Sequence, residues 1–312
     1  MFGCFCRFLR SLAKSSRQPS AALGCEDIDG HSTWGCQGQT QGDLSDMNTF
    51  PPRRIVCLTE ETVETLYLLG EQDRIVGVSG YAVRPRQVRK EKPRVSAFTS
   101  ADIPKILALR PDLVLTFSDL QADIAAELIR AGVTVTAYNQ RSVVGILSMI
   151  RHLGATVGQE RRASRLVDQY EKRLAEIERQ NGATKRPRVY FEEWDEPMIC
   201  GIKWVSELIE IAGGEDVFPE LANQAAASDR FVTSEQVIEA APDLILASWC
   251  GKKVRTEKIA VRPGWGTIPA VQNGRIVEIK SPLILQPGPA ALTDGLNAII
   301  DALELVRNHK SK

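Results

Sequence analysis

The sequence predicts an α/β protein in which two Rossmann-like lobes are bridged by a single long helix. Residues 159–181 form the predicted bridge, because apolar residues recur there at three- and four-residue spacing and charged residues fill the other positions. No Gly or Pro interrupts this segment. Before and after it, the chain repeats the same order of apolar strands and helices, which favours two lobes of similar construction.

The repeated order extends over several elements of each half. Each half starts with an apolar strand after a basic, proline-containing lead, and the next helix ends at Gly70 or Gly214. Each half later has a helix that ends in Pro-Asp and then an apolar strand, residues 113–117 or 244–248. A single α/β domain with an ordinary crossover helix is the alternative. The organisation we expect is a leader over residues 1–48, an N-terminal lobe over 53–157, a linking helix over 158–182 and a C-terminal lobe over 187–309.

The first lobe is predicted to alternate strands and helices. Its strands are expected at residues 54–58, 75–78, 113–117 and 133–138, and its helices at 102–109, 121–131 and 142–153. Glu60 and Glu61 directly follow the first strand. They favour the positive end of a helix that Thr59 can cap. Alternatively, they line a crevice at the carboxyl end of the strand, where α/β sheets bind ligands.

The second lobe follows a similar scheme. Its strands are expected at residues 188–191, 244–248 and 274–279, its helices at 201–211, 234–240 and 291–306, and a rigid proline-containing loop at 283–289. Gly213 and Gly214 come after a helix rather than before one. They therefore indicate a helix C-cap and not a phosphate-binding loop.

Aromatic residues are scarce in the chain, yet several fall at the predicted carboxyl ends of strands. Tyr81, Phe117, Trp194 and Trp249 lie at or just past such ends, and Phe98 and Trp204 are expected in the adjoining loops. In a two-lobe α/β protein these ends face one cleft. A wide cleft lined with flat side chains suits a large, flat or partly apolar ligand. The alternative is that the rings plug the ends of each sheet.

Composition excludes several classes of protein. Lys and Arg together number 39, as do Asp and Glu, so the net charge gives no indication of a nucleic-acid partner. No apolar run reaches the roughly 18 residues that span a membrane. Residues 1–48 lack an apolar pattern and are expected to be disordered or poorly packed, or an artefact upstream of a start at Met47. They show no clear signal peptide. The sequence therefore does not fix the compartment, and a cytoplasmic location is one of the alternatives.

Sequence motifs for catalysis and metal binding are absent. The sequence has no GxSxG elbow, HExxH motif or Walker loop. His31, His152 and His309 do not fall at strand ends, and the cysteines of the body form no CxxC pair. Cys250 could be a reactive thiol, or a small polar residue in a wall. We therefore predict a protein that is not an enzyme and holds no metal.

Four segments carry a resemblance to a known family. They are RIVCLTEETVETLYLLGEQDRIVGVSGY, KILALRPDLVLTF, the linking helix and SEQVIEAAPDLIL. In order and spacing, the body from about residue 53 to residue 303 resembles the class III periplasmic-binding-protein family. It is most similar to the cobalamin-binding substrate-binding proteins of ABC importers. Siderophore and haem binders share this framework, so the segments are less specific for the ligand than for the fold.

The resemblance implies a monomeric binding protein with cobalamin as its ligand and no covalently bound cofactor. Tyr81, Phe98 and Phe117 match first-lobe contact positions, and Trp194 and Trp249 fall near second-lobe contact loops. We expect Gln286, Ser100 and Glu193 to bond the peripheral amides of the corrin. The full set of expected ligand-binding residues is Tyr81, Phe98, Thr99, Ser100, Phe117, Glu193, Trp194, Trp204, Trp249 and Gln286.

The resemblance also implies a partner permease, which the family contacts through an acidic residue on each lobe. Glu235 matches the second-lobe position. The first-lobe position falls at Pro104, and Asp102 lies nearby.

Two rival functions stay open. One is binding of an iron-siderophore or haem on the same framework, which Arg84, Arg86 and Tyr81 support. The other is a cytoplasmic corrinoid-related enzyme or accessory factor that uses Glu192, Glu193 and Cys250, although no base–nucleophile pair is visible.

Overall fold

The structure is a computed structural model that describes residues 50–181 and 186–308. The predicted leader over residues 1–48, with His31, lies outside the described residues, and so does His309. Within the described ranges, the chain forms two α/β lobes, each built on a largely parallel sheet, and a long helix between them. The fold class predicted from the sequence is confirmed.

The first lobe contains a parallel sheet. Its strands are β1 (Ile55–Cys57), β2 (Ile75–Ser79), β3 (Arg94–Ser96), β4 (Leu113–Phe117) and β5 (Val135–Tyr138). The order across the sheet is β3-β2-β1-β4-β5, and each pairing is parallel. Its helices are α1 (Glu60–Leu69), α2 (Val88–Glu91), α3 (Ile103–Ala108), α4 (Ala122–Arg130) and α5 (Val143–Thr156). The chain changes direction across the sheet between β1 and β4, where open α/β sheets form a ligand crevice.

Local sequence explains the central elements of this lobe. Every residue of β1 and β4 is buried, as expected of parallel strands that are covered on both faces. Helix α1 ends at Gly70, whose φ of +76° lies in the left-handed region that glycine adopts without steric cost. The Gly70 N–H donates to the carbonyl of Tyr67 at 3.1 Å.

The bridging helix α6 covers Glu160–Asn181 and contains 22 residues. Its buried residues are Ala163, Val167, Tyr170 and Leu174, which share one face at a spacing of three or four. Ala163 packs closely on Gly154 of α5, where an added Cβ would lie 2.2 Å from the Ala163 Cβ. At about 1.5 Å per residue, the helix is roughly 33 Å long.

The second lobe has a mixed sheet. Its strands are β6 (Arg188–Asp195), β7 (Met198–Cys200), β8 (Glu215–Asp216), β9 (Leu244–Ala247) and β10 (Ile276–Glu278). The order is β10-β9-β6-β7, with β8 also on β6, and the β6–β7 pairing is antiparallel. Its helices are α7 (Lys203–Ile211), α8 (Pro219–Ala222), α9 (Ser234–Ala240), α10 (Thr256–Ala260), α11 (Pro269–Gln272), α12 (Ser281–Ile284) and α13 (Leu296–Asn308), the last preceded by a π-helical turn at Ala291–Gly295.

Two elements of the second lobe differ from the sequence prediction. The strand expected at residues 188–191 continues to Asp195 and returns as β7, so the exit of this strand is a hairpin and not a loop. The loop expected at 283–289 begins within the helical turn α12. Gly295 lets this turn approach closely, since a Cβ there would lie 2.4 Å from the Leu283 carbonyl oxygen.

The main hydrophobic core extends through both lobes. Leu66 of α1, Ile150 of α5, Val167 of α6, Val205 of α7 and Leu292 belong to one buried cluster. The two sheets therefore share packing through the helices between them, which resists independent movement of the lobes. Among the helices described, none combines the length and the apolar character needed to cross a membrane.

Candidate ligand-binding cleft

Hydrogen bonds join the two lobes along one seam. The Gln140 side chain, after β5, donates from Nε2 to the Pro287 carbonyl at 2.9 Å. The Ala290 N–H donates to Glu64 Oε2 of α1 at 3.0 Å. Gly288 is packed against the same helix, because an added Cβ would lie 2.5 Å from the Cβ of Glu61. The predicted rigid loop thus packs against the first lobe, and half-buried Gln286 is part of it.

Arg141 lies among other charged groups at the carboxyl end of the first-lobe sheet. Arg141, which follows β5, lies 5.3 Å from the Phe117 ring centroid and 3.5 Å from Asp119. Burial lowers the pKa of Arg141, while the charges of Arg230 and Glu193 from the second lobe also act on it. Groups at the carboxyl ends of the two sheets are therefore close enough to influence each other electrostatically, and the shared cleft stays a prediction.

The first-lobe candidates line this edge to different extents. Tyr81 is 43 % exposed, and Phe98 is half-buried. Thr99 and Ser100 are exposed beside Phe98, whereas Phe117 is buried. Tyr81 and the segment from Phe98 to Ser100 consequently offer the accessible first-lobe surface.

Gln121 positions this edge, although sequence reasoning missed it. The buried side chain accepts from the Phe117 N–H at 3.0 Å through Oε1. Its Nε2 donates to the carbonyls of Leu58 at 3.2 Å and Phe98 at 2.8 Å. One amide thus ties together the exits of β1, β3 and β4. The residue type gave no signal, because a glutamine in a predicted helix is usually solvent-exposed.

The second-lobe tryptophans also differ in exposure. Trp194 is half-buried at the end of β6. Trp249 is 2 % exposed, and its Nε1 donates to Glu192 Oε1 at 3.2 Å. Trp204 lies within helix α7 and not in a loop as expected, and its buried indole donates to the Ile284 carbonyl at 2.9 Å. Trp194 is therefore the most accessible of these three indoles.

Glu192 is a buried carboxylate held by several donors. The Arg262 guanidinium lies 3.0 Å from Glu192 Oε1 through Nη2 and also contacts Oε2 through Nη1. The Tyr190 hydroxyl donates to Oε2 at 3.3 Å. Burial raises the pKa of Glu192, whereas the bonds from Arg262, Trp249 and Tyr190 lower it. This network fixes the Trp249 indole at the carboxyl edge of the lobe.

Glu193 is engaged by Arg230. Arg230 is buried, and its Nη1 and Nη2 lie 2.6 and 3.1 Å from the two Glu193 oxygens. Arg230 Nη1 also donates to the Cys200 carbonyl at 2.6 Å. Glu193 was expected to bond the ligand, and the structure instead shows it as the partner of this guanidinium.

A small cavity opens beside the second-lobe tryptophans. Its volume is about 240 Å³, and it lies at the ends of β9 and β10 between Trp249, Gly251, Lys252, Lys253, Glu278, Ile279, Lys280, Ser281 and Pro282. The Lys252 Nζ lies 4.7 Å from the Trp249 ring centroid and 5.1 Å from that of Trp194. It also pairs with Asp195 Oδ2 at 2.6 Å.

Glu60 and Glu61 are buried at the start of α1, with exposures of 8 % and 1 %. Thr59 does not cap the helix with its side chain but donates from Oγ1 to Glu61 Oε1 at 2.6 Å. The Oε2 atoms of both glutamates have no hydrogen-bond partner within the described ranges. Burial raises the pKa of Glu60 to about 8, with help from Glu61, and that of Glu61 to about 7.

The remaining candidates are the two acidic residues expected to contact a permease and one histidine. Glu235 is exposed in the first turn of α9, and Asp102 caps α3 by accepting from the Lys105 N–H at 3.0 Å. His152 Nδ1 lies 2.9 Å from the Tyr138 hydroxyl. In the part of the chain described, no group of three or more His, Cys, Asp or Glu could hold a metal ion.

Known proteins are similar to this chain over most of its length, with about a quarter of the aligned residues identical. Residues 55–283 match the family model described as periplasmic binding protein. An uncharacterized ABC transporter substrate-binding lipoprotein, YvrC of Bacillus subtilis, is 26 % identical over 81 % of this chain and 80 % of its own. A vitamin B12-binding protein of Vibrio parahaemolyticus is 25 % identical over 84 % of this chain and 92 % of its own.

A solved structure has the same fold as this chain. The periplasmic heme-binding protein RhuT of Roseiflexus sp. RS-1, in apo form, superposes with a TM-score of 0.69. It is 25 % identical and covers 80 % of this chain and 99 % of its own. The family model covers well over half of the 312 residues. The chain therefore belongs to the periplasmic binding proteins, a family of solute-binding transport proteins and not of enzymes.

Proposed function

We propose that the protein binds a corrinoid, with cobalamin as its ligand, and acts as the substrate-binding component of an ABC importer. The observation that carries the proposal is the set of accessible aromatic rings at the carboxyl edges of both lobes. Tyr81 and Phe98 lie on one side, and Trp194 lies on the other. Flat rings of this kind pack well on a large and partly apolar macrocycle. The Vibrio relative named for vitamin B12 supports the same choice of ligand.

Polar groups at the same edges suit the amides at the rim of a corrin. Thr99 and Ser100 are exposed beside Phe98, and Gln286 is half-buried in the inter-lobe loop. Hydroxyl and amide groups both donate and accept hydrogen bonds, which matches neutral peripheral amides better than carboxylates. Trp249, Trp204 and Phe117 support the site from behind, because each is largely buried. We keep Glu193 in the proposed ligand-binding site, where its carboxylate is paired with Arg230.

Haem or a ferric siderophore is the second candidate, which the Roseiflexus heme-binding structure favours. The arginines that would attract carboxylates are partly engaged. Arg84 lies 3.0 Å from Glu64 Oε1 and 2.8 Å from Asp294 Oδ2. His152 is bonded to the Tyr138 hydroxyl. These contacts favour the corrinoid over a haem that needs an axial histidine.

We propose that a permease contacts the protein through exposed acidic side chains of both lobes. Glu235 on α9 and Asp102 at the start of α3 are the candidates. We further propose that the protein acts outside the cytoplasm, which its membership of the periplasmic binding proteins supports. Glu235→Ala is expected to slow import by cells that carry the permease and to leave ligand affinity unchanged. Loss of affinity in this variant would count against a docking role.

A retention experiment separates the ligand candidates. The protein is mixed in turn with cobalamin, haemin or a ferric hydroxamate, desalted and examined by visible absorption. We expect the corrin spectrum to stay with the protein at one equivalent, since the site encloses the ligand between two lobes. Retention of haemin or of the siderophore without the corrin would reject the proposal. Serum albumin carried through the same steps controls for nonspecific retention of haemin.

A further inference from the structure

The cavity at the ends of β9 and β10 is too small for a whole corrinoid. Its volume of about 240 Å³ lies below the roughly 300–1,000 Å³ of sites that enclose drug-sized ligands. It nevertheless adjoins the proposed site, because Lys252 in its lining also contacts the Trp194 ring. A cavity in this position suits one appendage of a larger ligand and not its body.

The lining of the cavity is cationic. Lys252, Lys253 and Lys280 line it together with Glu278. The Glu278 carboxylate is already bonded on both oxygens, by Lys280 Nζ at 2.6 Å and by the Val254 N–H at 3.2 Å. The three lysines outnumber the two carboxylates, Glu278 and Asp195, that pair with two of them, so the local charge is positive and an incoming oxyanion is the complementary group.

Lys252 is held in a defined position. Its ammonium group lies within hydrogen-bond distance of both Asp195 oxygens, at 2.8 and 2.6 Å. The Trp194 and Trp249 rings flank it at 5.1 and 4.7 Å from their centroids. Ring faces stabilise an ammonium group at such distances. An oxyanion in the cavity would thus meet a lysine that is already ordered, which reduces the entropy lost on binding.

We propose that this cavity is a subsite for an anionic oxygen group of the ligand, namely a phosphodiester. The inference rests on the proposed function, since the phosphodiester is the anionic link in the nucleotide loop of cobalamin. Propionate carboxylates of a haem share the same oxyanion chemistry and are the other possible source. Lys253 and Lys280 would contact the anion, and Lys252 would orient it beside Trp194.

Calorimetric titration with cobalamin and with cobinamide tests the subsite. Cobinamide has the same macrocycle and lacks the phosphodiester and the terminal base. We expect Lys253→Met to lower cobalamin affinity roughly fivefold, the scale of a partly exposed ion pair, and to leave cobinamide affinity unchanged. Added salt should weaken cobalamin binding in the wild type more than in the variant. Lys172→Met on the bridging helix is the matched control and should change neither affinity.

A second measurement tests the subsite without the corrinoid. Sodium dimethyl phosphate is added to the protein, and the indole N–H resonances of Trp194 and Trp249 are followed by NMR, with sodium chloride at equal ionic strength as the control. The proposal requires a shift with dimethyl phosphate that Lys253→Met weakens and Lys172→Met does not. A shift with acetate of equal size would assign the subsite to oxyanions in general and retain it.

The outcomes distinguish the subsite from the proposed function. Cobalamin and cobinamide binding that Lys253→Met leaves unchanged, without a shift from dimethyl phosphate, would overturn the subsite and retain corrinoid binding. Binding of haemin and not cobalamin would reject the proposed function. In that case, weaker haemin binding by Lys253→Met, with no such effect on haemin dimethyl ester, would support the subsite with propionate as the source.

Discussion

The two lobes place glutamates at the carboxyl end of an interior strand and satisfy them in opposite ways. In the second lobe, Glu192 of β6 is buried and bonded by Arg262, Trp249 and Tyr190. In the first lobe, Glu60 and Glu61 follow β1 and each retain an unpartnered oxygen within the described residues. The same residue type, inside β6 in one lobe and at the start of α1 in the other, therefore has different energetics in the two lobes.

The difference shows that burial alone does not decide the charge of a carboxyl group. Burial raises the pKa of Glu60 to about 8, because its ionised form would lack both water and a cationic partner. Glu192 meets a guanidinium that favours the ionised form. Near pH 7, Glu60 is therefore mostly neutral and Glu61, with a pKa of about 7, is partly ionised, whereas the second lobe contains an ion pair. The two arrangements predict different responses to mutation and to pH.

The largest expected effect comes from removing the partner of Glu192. Arg262→Met should lower the free energy of unfolding by about 3–5 kcal/mol, because it leaves a buried carboxylate without its counter-charge. Urea unfolding measures the change. Combining Arg262→Met with Glu192→Gln should recover part of the loss, since the second substitution removes the buried charge.

An exposed ion pair of the same lobe supplies the control. Arg255 pairs with Glu257 at 3.0 Å, and both side chains are more than half exposed. Arg255→Met should therefore cost less than about 1 kcal/mol. Equal losses in Arg262→Met and Arg255→Met would show that the Glu192 network does not stabilise the lobe.

The next effect is a pH dependence that originates in the first lobe. Because the pKa of Glu60 is raised to about 8, the unfolded chain loses this proton from about pH 4.5 upward while the folded protein keeps it. The folded state then binds more protons, so the contribution of Glu60 to stability is greatest below about pH 4.5 and is lost as pH rises to about 8. Glu60→Gln should raise stability at pH 8 by on the order of 3 kcal/mol and flatten the profile.

Two neighbouring groups stay neutral over this pH range, whereas two nearby glutamates contribute to the same pH dependence. Burial raises the pKa of Cys57 to about 12 and that of Tyr138 above its usual range, so both stay neutral between pH 5 and 8. Glu61 and Glu64 have raised pKa values and add to the same slope. Glu257→Gln, at an exposed position, should leave the profile unchanged over this range. A profile that Glu60→Gln does not alter would contradict the assignment.

A smaller effect separates binding from stability at two aromatic residues. Tyr81→Ala should lower corrinoid affinity by about 2 kcal/mol, more than tenfold, and leave the melting temperature nearly unchanged, because Tyr81 is 43 % exposed. Trp249→Phe should in addition lower stability by about 1–2 kcal/mol, since it removes the buried indole bond to Glu192. Calorimetric titration and thermal melts measure both. Unchanged affinity in folded Tyr81→Ala would remove Tyr81 from the site.

The smallest expected effect concerns the two lobes together. Helix α6 is continuous over 22 residues, and the main core includes residues of both lobes. We therefore expect the radius of gyration from small-angle scattering to change little when ligand is added. A large compaction would show that the lobes close as separate bodies.

The sequence by itself determined the fold class and the order of the principal strands and helices. The three- and four-residue apolar spacing around Tyr170 predicts α6, and the continuous apolar runs of β1 and β4 predict strands that are buried on both faces. These patterns are local, because each depends on which face of one element meets the core. The placement of aromatic residues at strand ends was also visible in the sequence, and it indicated the cleft.

Tertiary structure decided how exposed each of those residues is and which groups it contacts. Trp194 and Trp249 follow similar strand exits, yet the first is accessible and the second is buried against Glu192. Gln121 ties three strand exits together without any local signal. Arg262 reaches Glu192 across 70 positions of sequence. Contacts of this kind depend on packing between distant segments, so composition and spacing do not encode them locally.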